Sequence, residues 1–121
     1  MGQYEIQAHS TDIFGRVLCS ARNQHFVVDG PVQNGCPGEA ITPAELFLGG
    51  VAACGVELMQ DIAREKNLPL QAAGVAITGT IDSENPVHSD FRLFNSAHLQ
   101  FVLKGVNDEQ GAQLVTAFTK R

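Results

Sequence analysis

One long apolar helix, whose start is marked by four consecutive residues, constrains the fold of this 121-residue chain more than any other feature. The segment Thr42-Pro43-Ala44-Glu45 supplies a capping threonine, a proline at the first helical position and a glutamate three residues after the cap. Only glycine interrupts the helix-forming residues that follow, until Asn67 and Pro69 end the pattern. A helix of about 24 residues would be roughly 36 Å long, which is about as wide as a domain of this size.

The two halves of this predicted helix differ in polarity. Residues 46–56 are apolar or glycine around the whole circumference, which predicts burial on every side, whereas residues 60–66 are mostly polar. Gly49, Gly50 and Gly55 would each cost about 1 kcal/mol relative to alanine, so a neighbour must approach the backbone closely. That neighbour is either the chain's own sheet or the same helix of a second copy, and the pattern favours neither.

Alternating apolar and polar residues predict strands before and after the helix. Residues 3–9 indicate one strand, residues 16–28 indicate two strands around a polar turn, and the Gly- and Pro-rich residues 29–40 indicate a loop. Residues 75–81 and 98–106 alternate again and predict a hairpin across the polar loop 82–90. A last helix is predicted from a cap at Asn107 with Gln110, and its apolar stripe would be Leu114, Val115 and Phe118. The order indicates a single α+β domain over residues 1–121.

Charge and composition argue against several classes of function. The net charge is -5 and the eight Lys and Arg residues are scattered, which disfavours nucleic acid as a partner. No run reaches the roughly 18 uninterrupted apolar residues of a membrane span, and the first residues lack the features of a signal peptide, so a cytoplasmic protein is expected. The spacing of the cysteines and histidines fits no metal motif, so neither a metal nor a cofactor is expected.

Cys54, in the middle of the helix, is the residue whose chemistry decides the function. It lies about three turns from the helix N-terminus among apolar neighbours, which disfavours the reactive thiolate and favours an inert thiol. A distant arginine or a partner subunit would have to bring a cation to it. Glu45, nine residues earlier and on the opposite face, could orient such an arginine. Cys36 is expected to be exposed in its loop, and Cys19 is expected to be a small core residue.

The segment from Asp29 to Cys54 resembles the OsmC/Ohr family, the osmotically inducible and organic hydroperoxide resistance proteins. The resemblance is carried by Asp29-Gly30-Pro31, by Gly35 through Gly38, by Thr42 through Leu48 and by Ala52-Ala53-Cys54. It implies a curled antiparallel sheet wrapped around long central helices in an intertwined homodimer. It also implies a thiol-dependent peroxidase that reduces organic hydroperoxides at the dimer interface, with Cys54 as the attacking thiol and a thiol reductant to regenerate it.

The chain departs from the hydroperoxide-resistance branch at three positions. Ala44 stands where that branch has its catalytic glutamate, and Glu45 is one residue further on. An ungapped alignment puts the branch's catalytic arginine on Ile13, so Arg16 is the nearest replacement. The resolving Cys-Pro motif and the final strand would follow the last helix, and the 121 residues contain neither. These differences place the chain with generic OsmC-like proteins.

Three functional hypotheses follow. The first is a hydroperoxide reductase with Cys54 as nucleophile, Arg16 as activating cation and Glu45 as an orienting group. The second is a non-catalytic OsmC-like dimer that binds a small apolar ligand in its interface pocket. The third is a structural fragment whose missing end leaves an incomplete sheet.

Overall fold

The computed structural model describes residues 2–82, 84, 94 and 96–119. These residues form two compact units, one up to Phe47 and one from Leu48 onward, and the boundary falls inside the first turns of the long helix. The elements in chain order are β1 (Gln7–Ser10), β2 (Arg16–Ala21), β3 (Gln24–Asp29), α1 (Pro43–Glu65), β4 (Ala72–Thr80), β5 (Ser96–Lys104) and α2 (Asp108–Thr119).

The first unit contains a three-stranded antiparallel sheet in the order β1-β2-β3. The hairpin of β2 and β3 pairs Ala21 with Gln24 and Arg16 with Asp29, and Arg22 in its turn takes a left-handed conformation with φ of 56°. This confirms the two strands and the polar turn that the sequence predicts. The first strand begins later than its alternating pattern, at Gln7.

The loop after β3 folds back on this sheet. It contains a short 3₁₀ turn at Val32–Asn34, ended by Gly35 in the left-handed conformation. The side chain of Cys36 packs against the backbones of Gly15 and Gly30, at the places where their Cβ atoms would lie. Cys36 is therefore half-buried, and the expectation of an exposed thiol in an open loop is wrong.

The predicted capping box of α1 is present. The Thr42 backbone N–H and hydroxyl both donate to Glu45 Oε1, and the Glu45 N–H donates to Thr42 Oγ1. At the other end Asn67 is left-handed, its N–H donates to the Arg64 carbonyl, and the Leu68 N–H donates to the Ala63 carbonyl. This is the Schellman arrangement, which satisfies the last carbonyls of a helix.

The core of the second unit lies between α1, α2 and the hairpin of β4 and β5. Its centre is formed by Met59, Ile62, Ala63 and Leu114, and the inward-facing side chains of the strands pack around it. Gly55 is buried against the rings of Phe101 and Phe118. This close contact gives one of the three helix glycines a role within the chain.

The antiparallel hairpin and the last helix confirm two further predictions. The Asn107 N–H donates to Gln110 Oε1 and the Gln110 N–H donates to Asn107 Oδ1, as in a reciprocal capping box. Leu114 is buried and Phe118 packs on the core, but Val115 is 37% exposed and does not belong to the stripe. The loop predicted over 82–90 falls largely outside the described residues. The fold is α+β as expected, with its strands divided between two antiparallel sheets.

Candidate functional site

An exposed apolar stripe on α1 contains the candidate nucleophile. Phe47, Val51, Cys54 and Leu58 follow one another at intervals of four, three and four residues, so they share one face of the helix. Phe47 is 61% exposed, Val51 is 39% exposed and Cys54 is exposed as well. The stripe thus presents a thiol on an apolar surface.

The prediction that residues 46–56 are buried on every side is wrong for the described chain, in which only Gly55 of that segment is buried. No described atom lies within 4 Å of the position that a Cβ would take at Gly49 or Gly50. An apolar pattern specifies that a face avoids water, but it does not specify which molecule covers the face. We name Phe47, Gly50, Val51 and Cys54 the open face of α1.

By length and composition α1 could also cross a membrane, with a mean hydropathy of 1.4 over 18 residues and 22% of that window buried. Among the described residues it is the one helix that meets these criteria. The core helices of soluble proteins meet the same criteria, so length and hydropathy do not decide what covers the open face.

Arg16, the candidate activating cation, is held by two carboxylates. Its Nε donates to Asp29 Oδ1 at 2.8 Å, and its Nη2 donates to Asp29 Oδ2 at 2.8 Å and to Glu39 Oε1 at 3.0 Å. Asp29 Oδ2 also accepts the backbone N–H groups of Glu39 and Ala40, each at 3.0 Å. The pair therefore joins the start of β2, the end of β3 and the loop that leads to α1.

The electrostatics of this cluster follow from its hydrogen bonds. Asp29 is fully buried, and its bonds to Arg16 outweigh burial and lower the pKa of its carboxyl group from 3.8 to about 2. The same bonds, followed by the one to Glu39, raise the pKa of Arg16 above its usual value. With both carboxylates ionised, the three side chains carry a net charge of -1.

Glu45, the candidate orienting group, is engaged in the capping box. Its bonds from the backbone and the hydroxyl of Thr42 lower the pKa of its carboxyl group. Glu45 and Arg16 each have their own partners, so the structure does not join these two predicted site residues. Both contribute to local structure at the start of α1 and at the end of the sheet.

Three further observations complete the chemistry of the described residues. All three cysteines are free thiols, with Cys19 buried, Cys36 half-buried and Cys54 exposed. No group of three or more His, Cys, Asp or Glu side chains is placed to hold a metal ion within the described part of the chain. Asp29 and Glu39 are the polar residues that the sequence reasoning did not assign to Arg16. Register could have found Asp29, because a hairpin that turns between Ala21 and Gln24 pairs residue 16 with residue 29.

Comparisons with known proteins identify the fold. No family model and no curated protein sequence matches the chain. Solved structures do match: an OsmC-like protein from Mycoplasma pneumoniae is 16% identical with a TM-score of 0.83, covering 99% of this chain and 82% of its own. The organic hydroperoxide resistance protein OhrB of Bacillus subtilis is 18% identical with a TM-score of 0.66, over 98% of this chain and 84% of its own.

A third structure carries a ligand. It is a candidate organic hydroperoxide resistance protein from Vibrio cholerae, with captopril bound in one of its active sites. It is 25% identical to this chain with a TM-score of 0.66, over 99% of this chain and 81% of its own. The similarity in all three cases extends over nearly the whole chain. The chain thus has the fold of the OsmC/Ohr proteins, and the resemblance carried by Asp29 to Cys54 is confirmed at the level of the fold.

Proposed function

We propose that this protein is a cytoplasmic thiol-dependent reductase of organic hydroperoxides, with Cys54 as the attacking residue. The observation that carries the proposal is the exposure of a free thiol in the centre of an apolar helix face. Such a face favours an alkyl hydroperoxide over hydrogen peroxide, because burial of the alkyl group contributes about 0.8 kcal/mol per methylene. The OsmC/Ohr fold and the hydroperoxide-related structures that share it support a role in redox chemistry or stress defence.

The reaction proceeds in two balanced steps. The Cys54 thiolate attacks the distal peroxide oxygen, so that an S–O bond forms while the O–O bond breaks. The alkoxide leaves and takes up a proton, which gives an alcohol and a sulfenic acid on Cys54. Two equivalents of a small thiol then reduce the sulfenic acid through a mixed disulfide and release water. The captopril in the Vibrio structure is a thiol compound, which is consistent with a site open to such a reductant.

Arg16 and Glu45 are proposed as supporting residues for this reaction. Arg16 is a permanent cation and would stabilise the Cys54 thiolate, although its two carboxylate partners reduce that effect. Glu45 would act by fixing the first turn of α1 through the capping box. Neither residue transfers a proton in this scheme.

Trapping of the sulfenic acid tests the proposal. We expect one equivalent of cumene hydroperoxide, with dimedone present, to label the peptide that contains Cys54, because its thiol is the exposed one of the three. The measurement is peptide mass spectrometry, with Cys54→Ser as the control that loses the label. An unmodified Cys54 thiol would contradict the proposal. The same result would support the second hypothesis, a dimer that binds a small apolar ligand over the exposed open face.

The cover of the open face is proposed to be a second copy of the chain. Gly49 and Gly50 cost about 2 kcal/mol together in a helix, and no described atom approaches either position. We expect Gly50→Leu to disrupt a homodimer, because the new side chain would separate two closely packed helices. Size-exclusion chromatography with light scattering measures this, and Gly74→Ala, on the exposed face of β4, is the control. A Gly50→Leu protein that stays dimeric at native stability would show that the glycines have another role.

A further inference from the structure

The two carboxylates that bind Arg16 differ in how firmly they are held. Asp29 is fully buried and accepts four hydrogen bonds, two from Arg16 and two from backbone N–H groups. Glu39 has a side chain that is 76% exposed, and its carboxylate accepts one hydrogen bond, from Arg16 Nη2. Asp29 is thus a fixed partner of Arg16, whereas Glu39 can be displaced by water.

The geometry of the guanidinium allows this displacement. Asp29 binds one edge of the group, through Nε and Nη2, in the two-pronged arrangement that orients arginine firmly. Glu39 uses a further N–H of Nη2, and Nη1 makes no hydrogen bond to a described residue. When Glu39 leaves, Asp29 still holds the guanidinium in place, while Nη2 and Nη1 become available to another anion.

The charge of the cluster changes at the same time. With Glu39 in contact, one cation faces two anions and the net charge is -1, which cannot favour a second anion nearby. Without Glu39, the Arg16–Asp29 pair is neutral and has unused donors directed outward. An anion, such as a thiolate, then gains hydrogen bonds without facing an excess of negative charge.

We propose that Glu39 is an autoinhibitory contact on Arg16, whose release makes the arginine available to the Cys54 thiolate. This inference rests on the proposed function, since it concerns the regulation of the same thiol. Glu39 acts through Arg16 and touches neither the thiol nor the hydroperoxide. Its contact explains how the chain can keep an arginine for activation and still hold the thiol in a poorly reactive state.

The test measures alkylation of Cys54 by iodoacetamide as a function of pH, resolved by peptide mass spectrometry. We expect Glu39→Gln to raise the rate at neutral pH by about threefold or more and to move the rising limb of the profile to lower pH, because the thiolate fraction sets the rate. Glu5→Gln removes one exposed negative charge from the same unit and serves as the control. A purely structural role of Glu39 would not move the profile.

A double-variant experiment establishes the route through Arg16. In an Arg16→Gln background, Glu39→Gln should change the Cys54 rate no more than the control does. If Arg16→Gln does not fold, Arg16→Lys replaces it, and we then expect the Glu39 effect to be smaller than in the wild type. Equal rates for Glu39→Gln and Glu5→Gln in the wild-type background would overturn the proposal.

The outcome is separable from that of the proposed function. Alkylation needs no hydroperoxide, so an effect of Glu39→Gln that depends on Arg16 would support the autoinhibitory contact even if dimedone trapping failed. Successful trapping with an unchanged alkylation profile would support the reductase and overturn the role of Glu39.

Discussion

Leu114→Ala is expected to destabilise the second unit by about 2–5 kcal/mol, the range found when a large apolar side chain is removed from a packed core. Leu114 is fully buried and is the residue through which α2 joins Met59 and Ile62 of α1. Alanine would leave a cavity between the two helices. Urea unfolding followed by circular dichroism measures the change.

The neighbouring residue gives a matched control. Val115 is 37% exposed, so Val115→Ala should change the free energy of unfolding by no more than about 0.5 kcal/mol. Equal losses for the two variants would show that α2 does not pack on α1 through Leu114. A large loss at Val115 alone would indicate that α2 is rotated relative to the described helix.

Asp29→Asn is expected to open the loop between β3 and α1. The carboxylate accepts N–H groups from Arg16, Glu39 and Ala40, and the amide side chain would turn a donor toward at least one of them. We expect the Glu39 and Ala40 amides to exchange with deuterium about tenfold faster or more. Hydrogen exchange read by mass spectrometry measures this. Glu39→Gln should leave the Ala40 amide protected, because Asp29 then keeps its remaining bonds.

The same carboxylate predicts a pH dependence. Its pKa is about 2 in the folded chain against 3.8 ordinarily, so the unfolded chain binds more protons between these values. The stabilisation is therefore complete above about pH 4 and is lost as the pH falls through 3.8 toward 2. Asp29→Asn should have a flatter stability profile in this window than the wild type. Parallel profiles for the two proteins would contradict an ionised, bonded Asp29.

Local signals in the sequence were sufficient for most elements of the fold. The capping boxes at Thr42 and Asn107 are short-range hydrogen-bond patterns, and both occur as predicted. The hairpins followed from alternation and turn residues. The rotation of α2 was misjudged at Val115, because three apolar residues within five positions fit more than one helical stripe.

The candidate site was harder to predict, because its contacts are long-range. Thirteen residues separate Arg16 from Asp29, and their pairing depends on strand register, which the sequence reasoning did not use. The contact of Arg16 with Glu39 depends on how the loop folds back, which no local pattern specifies. The exposure of Cys54 was missed for another reason: an apolar helix face looks the same whether its own chain or another molecule covers it.

The packing of Cys36 has a consequence for variation among related sequences. Its sulfur occupies the space that side chains at positions 15 and 30 would need, and Gly15 has in addition a φ of 81° that disfavours other residues. A substitution at position 30 is therefore tolerated only together with a smaller residue at position 36. These positions should co-vary, with a bulky residue appearing at one only where the other has become small.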